Sequence, residues 1–256
     1  MAMTIAIGGK GGSGKTTLSA MIVRLLLARG SRGAILAVDA DPNSCLASML
    51  GVQPVGTIAD IREDARTKAP GDMTTDRLHL VEYGIHQAIT EAEGFDLLVM
   101  GRPEGPGCYC AVNNMLRKFL DQISSHYEFV IIDNEAGMEH LSRRTTNNVD
   151  ILCIVADPTS LGALTAGRIF ELAKKLPVSV KEIGIIWNNN RVDVACRDID
   201  KFEISNLGCV PFDKAVFDAS MKGKSVFDLE DNTPAFLAVS EILERRLSIK
   251  SANNKA

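Results

Sequence analysis

No stretch of this chain reaches the roughly 18 uninterrupted apolar residues that a membrane-spanning helix needs, although apolar types make up 46% of it. Its opening residues lack a charged region followed by a long apolar stretch, so the expectation is a cytoplasmic protein with no stable membrane association. It also lacks a basic run, and a net charge of -4 with a pI near 5.6 offers no general attraction to nucleic acid, which is not expected as a partner. Cysteine is sparse: six residues, at 45, 108, 110, 153, 196 and 209, are too few for a disulfide scaffold. There is no internal repeat and no low-complexity linker. The 256 residues therefore suit one α/β domain over 1–250, with 251–256 as a frayed tail.

The chain does have a glycine-rich run near its start, Gly8-Gly9-Lys10-Gly11-Gly12-Ser13-Gly14-Lys15-Thr16-Thr17, between the apolar segment Met3 to Ile7 and the apolar-rich segment Leu18 to Ala28. Gly9, Gly14, Lys15 and Thr16 meet the G-x-x-x-x-G-K-[ST] pattern in a strand-loop-helix setting. Glycines let successive N–H groups turn inward, the following helix presents its unpaired amides, and Lys15 adds a cation for terminal phosphates. Thr16 can hold a magnesium ion. A glycine-rich turn can also join strand to helix with no ligand, but the flanks match the phosphate loop.

Strand-like runs alternate with helical ones, which predicts a mostly parallel twisted sheet covered by helices on both faces. Expected strands are Thr4 to Ile7, Ala34 to Val38, Leu78 to Val81, Leu97 to Gly101, Phe129 to Asp133, Ile151 to Val155, Glu182 to Trp187 and Gly208 to Pro211, and Pro234 is placed to open the last helix. The apolar stripe of that helix, Phe236, Val239, Ile242 and Leu243 among others, reads as packing on the sheet.

Acidic residues close two of these strands, where α/β sheets place their ligands. Asp39 and Asp41, in Val38-Asp39-Ala40-Asp41-Pro42, offer one carboxylate for a magnesium shell and one to orient or deprotonate attacking water. Taken alone, an Asp-Pro there is an ordinary turn. Ile131-Ile132-Asp133-Asn134-Glu135-Ala136-Gly137 has the Walker B shape: Asp133 would reach magnesium through water, and the Gly137 amide would sense the γ-phosphate. Asn188, at the end of Ile185-Ile186-Trp187-Asn188, carries an amide suited to a purine edge, though Asn189 and Asn190 share that chemistry and three asparagines also make a plain loop.

Cys108 and Cys110, one residue apart on a Gly/Pro-rich loop, can bind one soft or borderline metal. A closed thiolate site takes four ligands, so two copies related by a two-fold axis would complete it. The plainer alternatives are a pair of small core residues or a redox couple. Cys45 and Cys153 read as core residues, Cys196 and Cys209 lack a partner at motif spacing, and His79, His86, His126 and His140 stand apart from one another.

The G-K-G-G-x-G-K-T form of the phosphate loop resembles the deviant Walker A motif of the ParA, MinD and nitrogenase-iron-protein ATPases. This resemblance implies ATP or ADP with Mg2+ as ligands and a nucleotide-dependent homodimer in which Lys10 reaches the partner's nucleotide. It implies further that Asp41 activates water with Asp39 nearer the metal, that Asn188 reads adenine, and that Pro211 and Asp213 line the other side of the base.

The loop P-E-G-P-G-C-Y-C-A-x-N-x-x-L-R resembles that of the CooC-type ATPases, which implies Ni2+ at Cys108 and Cys110, with Zn2+ possible at the same place, and a nickel-dependent carbon monoxide dehydrogenase as recipient. Two rival readings are an iron-sulfur-carrying electron donor and a MinD/ParA-like positioning ATPase. The first wants a second cysteine just after the Walker B aspartate, where this chain has Asn134, Glu135, Ala136, Gly137 and Met138.

Overall fold

The computed structural model describes residues 2–30, 34–68, 83–102, 108–136, 148–175, 179–190 and 204–245, and at 65–68 and 108–111 the backbone alone. The phosphate-loop strand β1 (Met3–Gly9) lies inside an eight-stranded sheet. Its neighbours, both parallel to it, are β5 (Phe129–Asn134) and β6 (Asn148–Ala156). Beyond β5 come β2 (Ile35–Ala40), β4 (Phe95–Val99) and β3 (Thr90–Ala92); beyond β6 come β7 (Ser179–Asn190) and β8 (Ser205–Pro211). All described pairings are parallel except β3 with β4.

β2 and β5 are buried along their whole length, which only a sheet covered on both faces allows. Alternation along β1 divides the core in two: Ile5 and Ile7 join Leu18, Met21, Ile22 and Leu26 of α1 (Lys15–Ala28), whereas Ala6 joins the opposite cluster. The short helix α2 (Leu46–Met49) follows β2, and α3 (Ile58–Lys68) precedes the undescribed segment 69–82. α4 (Cys108–Ile123) and α5 (Ser160–Lys175) cover the second face, with Leu116, Phe119 and Ile169 at its centre. α6 (Lys214–Met221) and α7 (Pro234–Arg245) are the last helices among the described residues, and Phe236, Val239, Ile242 and Leu243 of α7 are buried on the α1 side as their spacing predicted.

Three details differ from the sequence reading, and one expected strand has no described counterpart. The short antiparallel strand β3 was not expected. The expected strand Leu78 to Val81 lies outside the described residues. β7 runs on through Asn190, so the three asparagines belong to an irregular strand end rather than a loop, with Asn189 at φ 60°. Finally, α4 begins at Cys108, so the backbone of both cysteines 108 and 110 is helical instead of part of the preceding loop.

Candidate nucleotide site

The carboxyl ends of β1, β2 and β5 converge on the start of α1. Two glycines make that convergence possible. Gly9 (φ 151°) lies so close to β6 that a Cβ would sit 2.3 Å from the Val155 carbonyl oxygen. Gly14 (φ 92°) forms the N-cap of α1, and a Cβ there would lie 2.2 Å from Asn188 Nδ2. α1 has no side-chain cap and no acidic residue in its first turn, which leaves its amides and positive dipole end to an anion. Between these glycines Gly11 and Gly12 are exposed, Ser13 is buried with Oγ donating to the Lys10 carbonyl at 2.8 Å, and Lys15 Nζ donates to that same carbonyl at 3.4 Å. Lys15 is buried and Lys10 exposed, so one lysine belongs to this loop while the other is accessible to a second molecule.

Behind the loop stand two acids. Asp39 is 0% exposed and Asp133 1%, and their Cα atoms are register partners across β2 and β5. Asp39 accepts from the amides of Leu46 (2.8 Å) and Asp41 (3.2 Å), yet burial first, and then the charge of Asp133, raise its pKa to about 7. Burial raises Asp133 to about 6 against the opposing pull of hydroxyls on Thr16 and Ser19 and the charge of Lys15. Two carboxyl groups held out of water this way favour a divalent cation, and Thr16 brings a hydroxyl to the same place. Among the described residues no group of three or more His, Cys, Asp or Glu is arranged around a metal. A magnesium ion fits nonetheless, because it takes few protein ligands and completes its shell with phosphate oxygens and water.

Asp41 lies further out, partly exposed, with Oδ1 accepting from Asn43 N and Nδ2, both at 2.9 Å. Thr17 lines the adjoining cleft of about 200 Å3, together with Asn188, Pro211, Phe212, Asp213 and Phe217. Asn188 Nδ2 donates to the Ser13 carbonyl at 2.7 Å, which ties the end of β7 to the phosphate loop. Asp213 lines the cleft but its carboxylate is engaged elsewhere: Oδ1 accepts from Ala215 and Val216 at the start of α6, and Oδ2 from Ala235 at the start of α7.

The cleft also contains residues that the sequence reading passed over. Phe212 and Phe217, ring centroids 6.1 Å apart, form an apolar wall. Spacing carried a hint, since Phe217 follows the Asp213 cap by one helical turn. Gly137 and the side chains of Cys108 and Cys110 lie outside what the structure describes.

Two cysteine expectations change. Cys45 is exposed just before α2, with Sγ 3.7 Å from the Asn43 carbonyl, because the helix starts after it. Cys209 is disulfide-bonded, which spacing in sequence did not show. Cys153 is a core thiol, its pKa pushed up to about 12 by burial.

The family model for the CobQ/CobB/MinD/ParA nucleotide-binding domain matches residues 4–226. The chain belongs to that family. Within the CobQ/CobB/MinD/ParA family it is similar to an uncharacterized ATP-binding protein of Methanocaldococcus jannaschii, 40% identical over 97% of this chain and 100% of the relative. It is also similar to the carbon monoxide dehydrogenase accessory protein CooC of Rhodospirillum rubrum, 35% identical over 95% of this chain and 97% of CooC. Among solved structures, the MinD cell division protein of Aquifex aeolicus shares the fold at a TM-score of 0.70, with 22% identity and coverage of 97% of this chain and 98% of MinD. The chain is thus a P-loop ATPase of this family.

No helix among the described residues is long and apolar enough to cross a membrane.

Proposed function

We propose that this ATPase is magnesium-dependent, closes as a homodimer over its nucleotide, and couples that cycle to binding nickel between cysteine pairs, as an accessory factor for nickel insertion into carbon monoxide dehydrogenase. The loop amides and Lys15 hold the β- and γ-phosphates. Thr16 and Asp133, with Asp39 beside them, would hold magnesium, which supplies positive charge to the phosphate oxygens as the β–γ bond breaks. Asp41 orients the water whose oxygen attacks the γ-phosphorus, and ADP leaves. Lys10, exposed on the loop, reaches the partner's nucleotide, and Gly137 follows the loss of phosphate. Asn188, Pro211 and Asp213 surround the base.

One observation carries the coupling. Met100 N, just past β4, donates to the Asp39 carbonyl at 2.8 Å, so the segment entering the cysteine region is pinned to the residue at the heart of the nucleotide site. The 35% identity to CooC supports the nickel role, and the higher identity to an uncharacterized ATP-binding protein leaves that role to experiment.

The decisive measurement is metal content and molecular size of the reduced protein, with and without ATP, for the wild type and the double substitution Cys108→Ala, Cys110→Ala. The expected result is a nucleotide-dependent dimer carrying one thiolate-bound nickel or zinc per pair of chains, with metal lost and nucleotide binding kept in the variant. A variant that retains stoichiometric metal, or a wild type that stays monomeric under every condition, overturns the proposal. A brown protein with iron-sulfur absorption would favour the electron-donor reading instead. Against that reading, Asn134 next to the Walker B aspartate is a buried amide that donates to the Ile7 carbonyl at 3.0 Å.

A further inference from the structure

One buried hydroxyl touches the aspartate cluster from behind. Ser19 lies one turn past Lys15 on α1 and is 0% exposed. Its Oγ is 2.9 Å from the Lys15 carbonyl and 3.1 Å from Asp133 Oδ1. It has a single proton for two acceptors, and the carboxylate is the stronger of them because its bond is charge-assisted. The Lys15 carbonyl, by contrast, already takes a backbone amide in the ordinary helical pattern.

Packing gives no reason for a hydroxyl here. In a helix interior serine is a weaker helix former than alanine, and a buried hydroxyl costs free energy unless it is bonded. Asp133 is closed off from solvent, so the orientation of its carboxylate is set by protein donors, the hydroxyls of Thr16 and Ser19. Thr16 is the residue expected at the magnesium ion, and Ser19 approaches Asp133 from further along the same helix.

We infer that Ser19 is a positioning residue for the magnesium site, holding Asp133 Oδ1 so that the rest of the carboxylate stays turned toward Thr16 and the cation's water shell. This rests on the magnesium-nucleotide reading above. Ser19 touches neither nucleotide nor metal in that arrangement. It acts through Asp133, and its effect belongs to the metal-dependent part of binding alone.

The test compares wild type, Ser19→Ala and Ser19→Thr by titration with a fluorescent N-methylanthraniloyl-ADP, once in EDTA and once in excess Mg2+, alongside the Mg2+ dependence of ATP hydrolysis. In EDTA all three bind alike, because the phosphate loop is untouched. In Mg2+ the metal-dependent tightening falls about tenfold in Ser19→Ala, the loss expected for one charge-assisted hydrogen bond. The Mg2+ concentration for half-maximal hydrolysis rises by a similar factor, kcat at saturating Mg2+ stays within about threefold, and Ser19→Thr restores the tightening.

A Ser19→Ala protein with the wild-type Mg2+ response overturns the inference, as does one whose affinity falls equally in EDTA, since that marks general disruption of α1. A wild type whose nucleotide binding ignores Mg2+ overturns the underlying magnesium reading and this inference with it.

Discussion

Asp39 and Asp133 face each other across β2 and β5, register partners at the carboxyl ends of adjacent parallel strands, both shut away from solvent. Each holds a proton more tightly in the fold than in the open chain.

The pH dependence of stability follows from that pairing. A carboxyl group whose pKa is raised by folding contributes stability that is complete below its unfolded value, near 4, and is lost as pH rises through the folded value. Asp133 at about 6 and Asp39 at about 7 therefore make the metal-free protein lose thermal stability as pH rises from about 4 to about 7, with a plateau above. Melting curves in EDTA from pH 5 to 8.5 should show this decline, and Mg2+ with ADP should flatten it. A melting temperature in EDTA that rises over the interval contradicts the assignment.

Gly14→Ala places a methyl group 2.2 Å from Asn188 Nδ2 at a backbone φ of 92°. The strain and the broken tie to Ser13 should cost about 2 to 4 kcal/mol and weaken nucleotide binding at least tenfold. Thermal melts and nucleotide titration measure the two effects separately.

Asp213→Ala removes the acceptor for three backbone amides at the starts of two helices. The expected cost is about 2 kcal/mol, or a melting temperature lower by about 5 °C. Nucleotide affinity should fall because α6 and α7 no longer hold their places around the cleft. An unchanged melting temperature would argue that the carboxylate serves the base instead.

Phe217→Ala should separate base binding from phosphate binding. The ring is 52% exposed, so its loss costs little stability, but it lines the cleft beside Phe212. The expectation is a fall of about tenfold in ATP affinity, the order of one lost stacking contact, with inorganic tripolyphosphate unaffected.

Much of the architecture was legible from local pattern. Apolar runs ending in Asp39 and Asp133, and a glycine-rich loop before an apolar helix, locate the sheet's functional edge because fully buried parallel strands leave continuous hydrophobic signatures. β3 left none: three residues, Thr90–Ala92, form an antiparallel edge strand too short for periodicity to register. Cys45 was read as a core residue but sits exposed at the N-cap of α2, just ahead of the buried Leu46. The engagement of Asp213 with two helices depended on α7 arriving beside α6, a tertiary contact that spacing does not encode. Ser19 was within reach of the sequence, four residues after Lys15 and so on the same helix face, but only the distance to Asp133 distinguishes it from any other small helical residue.

Arg24 of α1 donates to the Val226 and Leu229 carbonyls and to Asp231, more than 200 residues onward in the chain, and stacks on Phe236. During synthesis α1 can settle on β1, β2 and β5 once those strands are out, but the flank that carries Arg24 meets its partners only when residues 226–236 arrive. The nascent chain therefore carries one apolar flank of α1 uncovered until late in translation, and a truncation before residue 226 would leave that flank open to aggregation rather than yield a smaller enzyme.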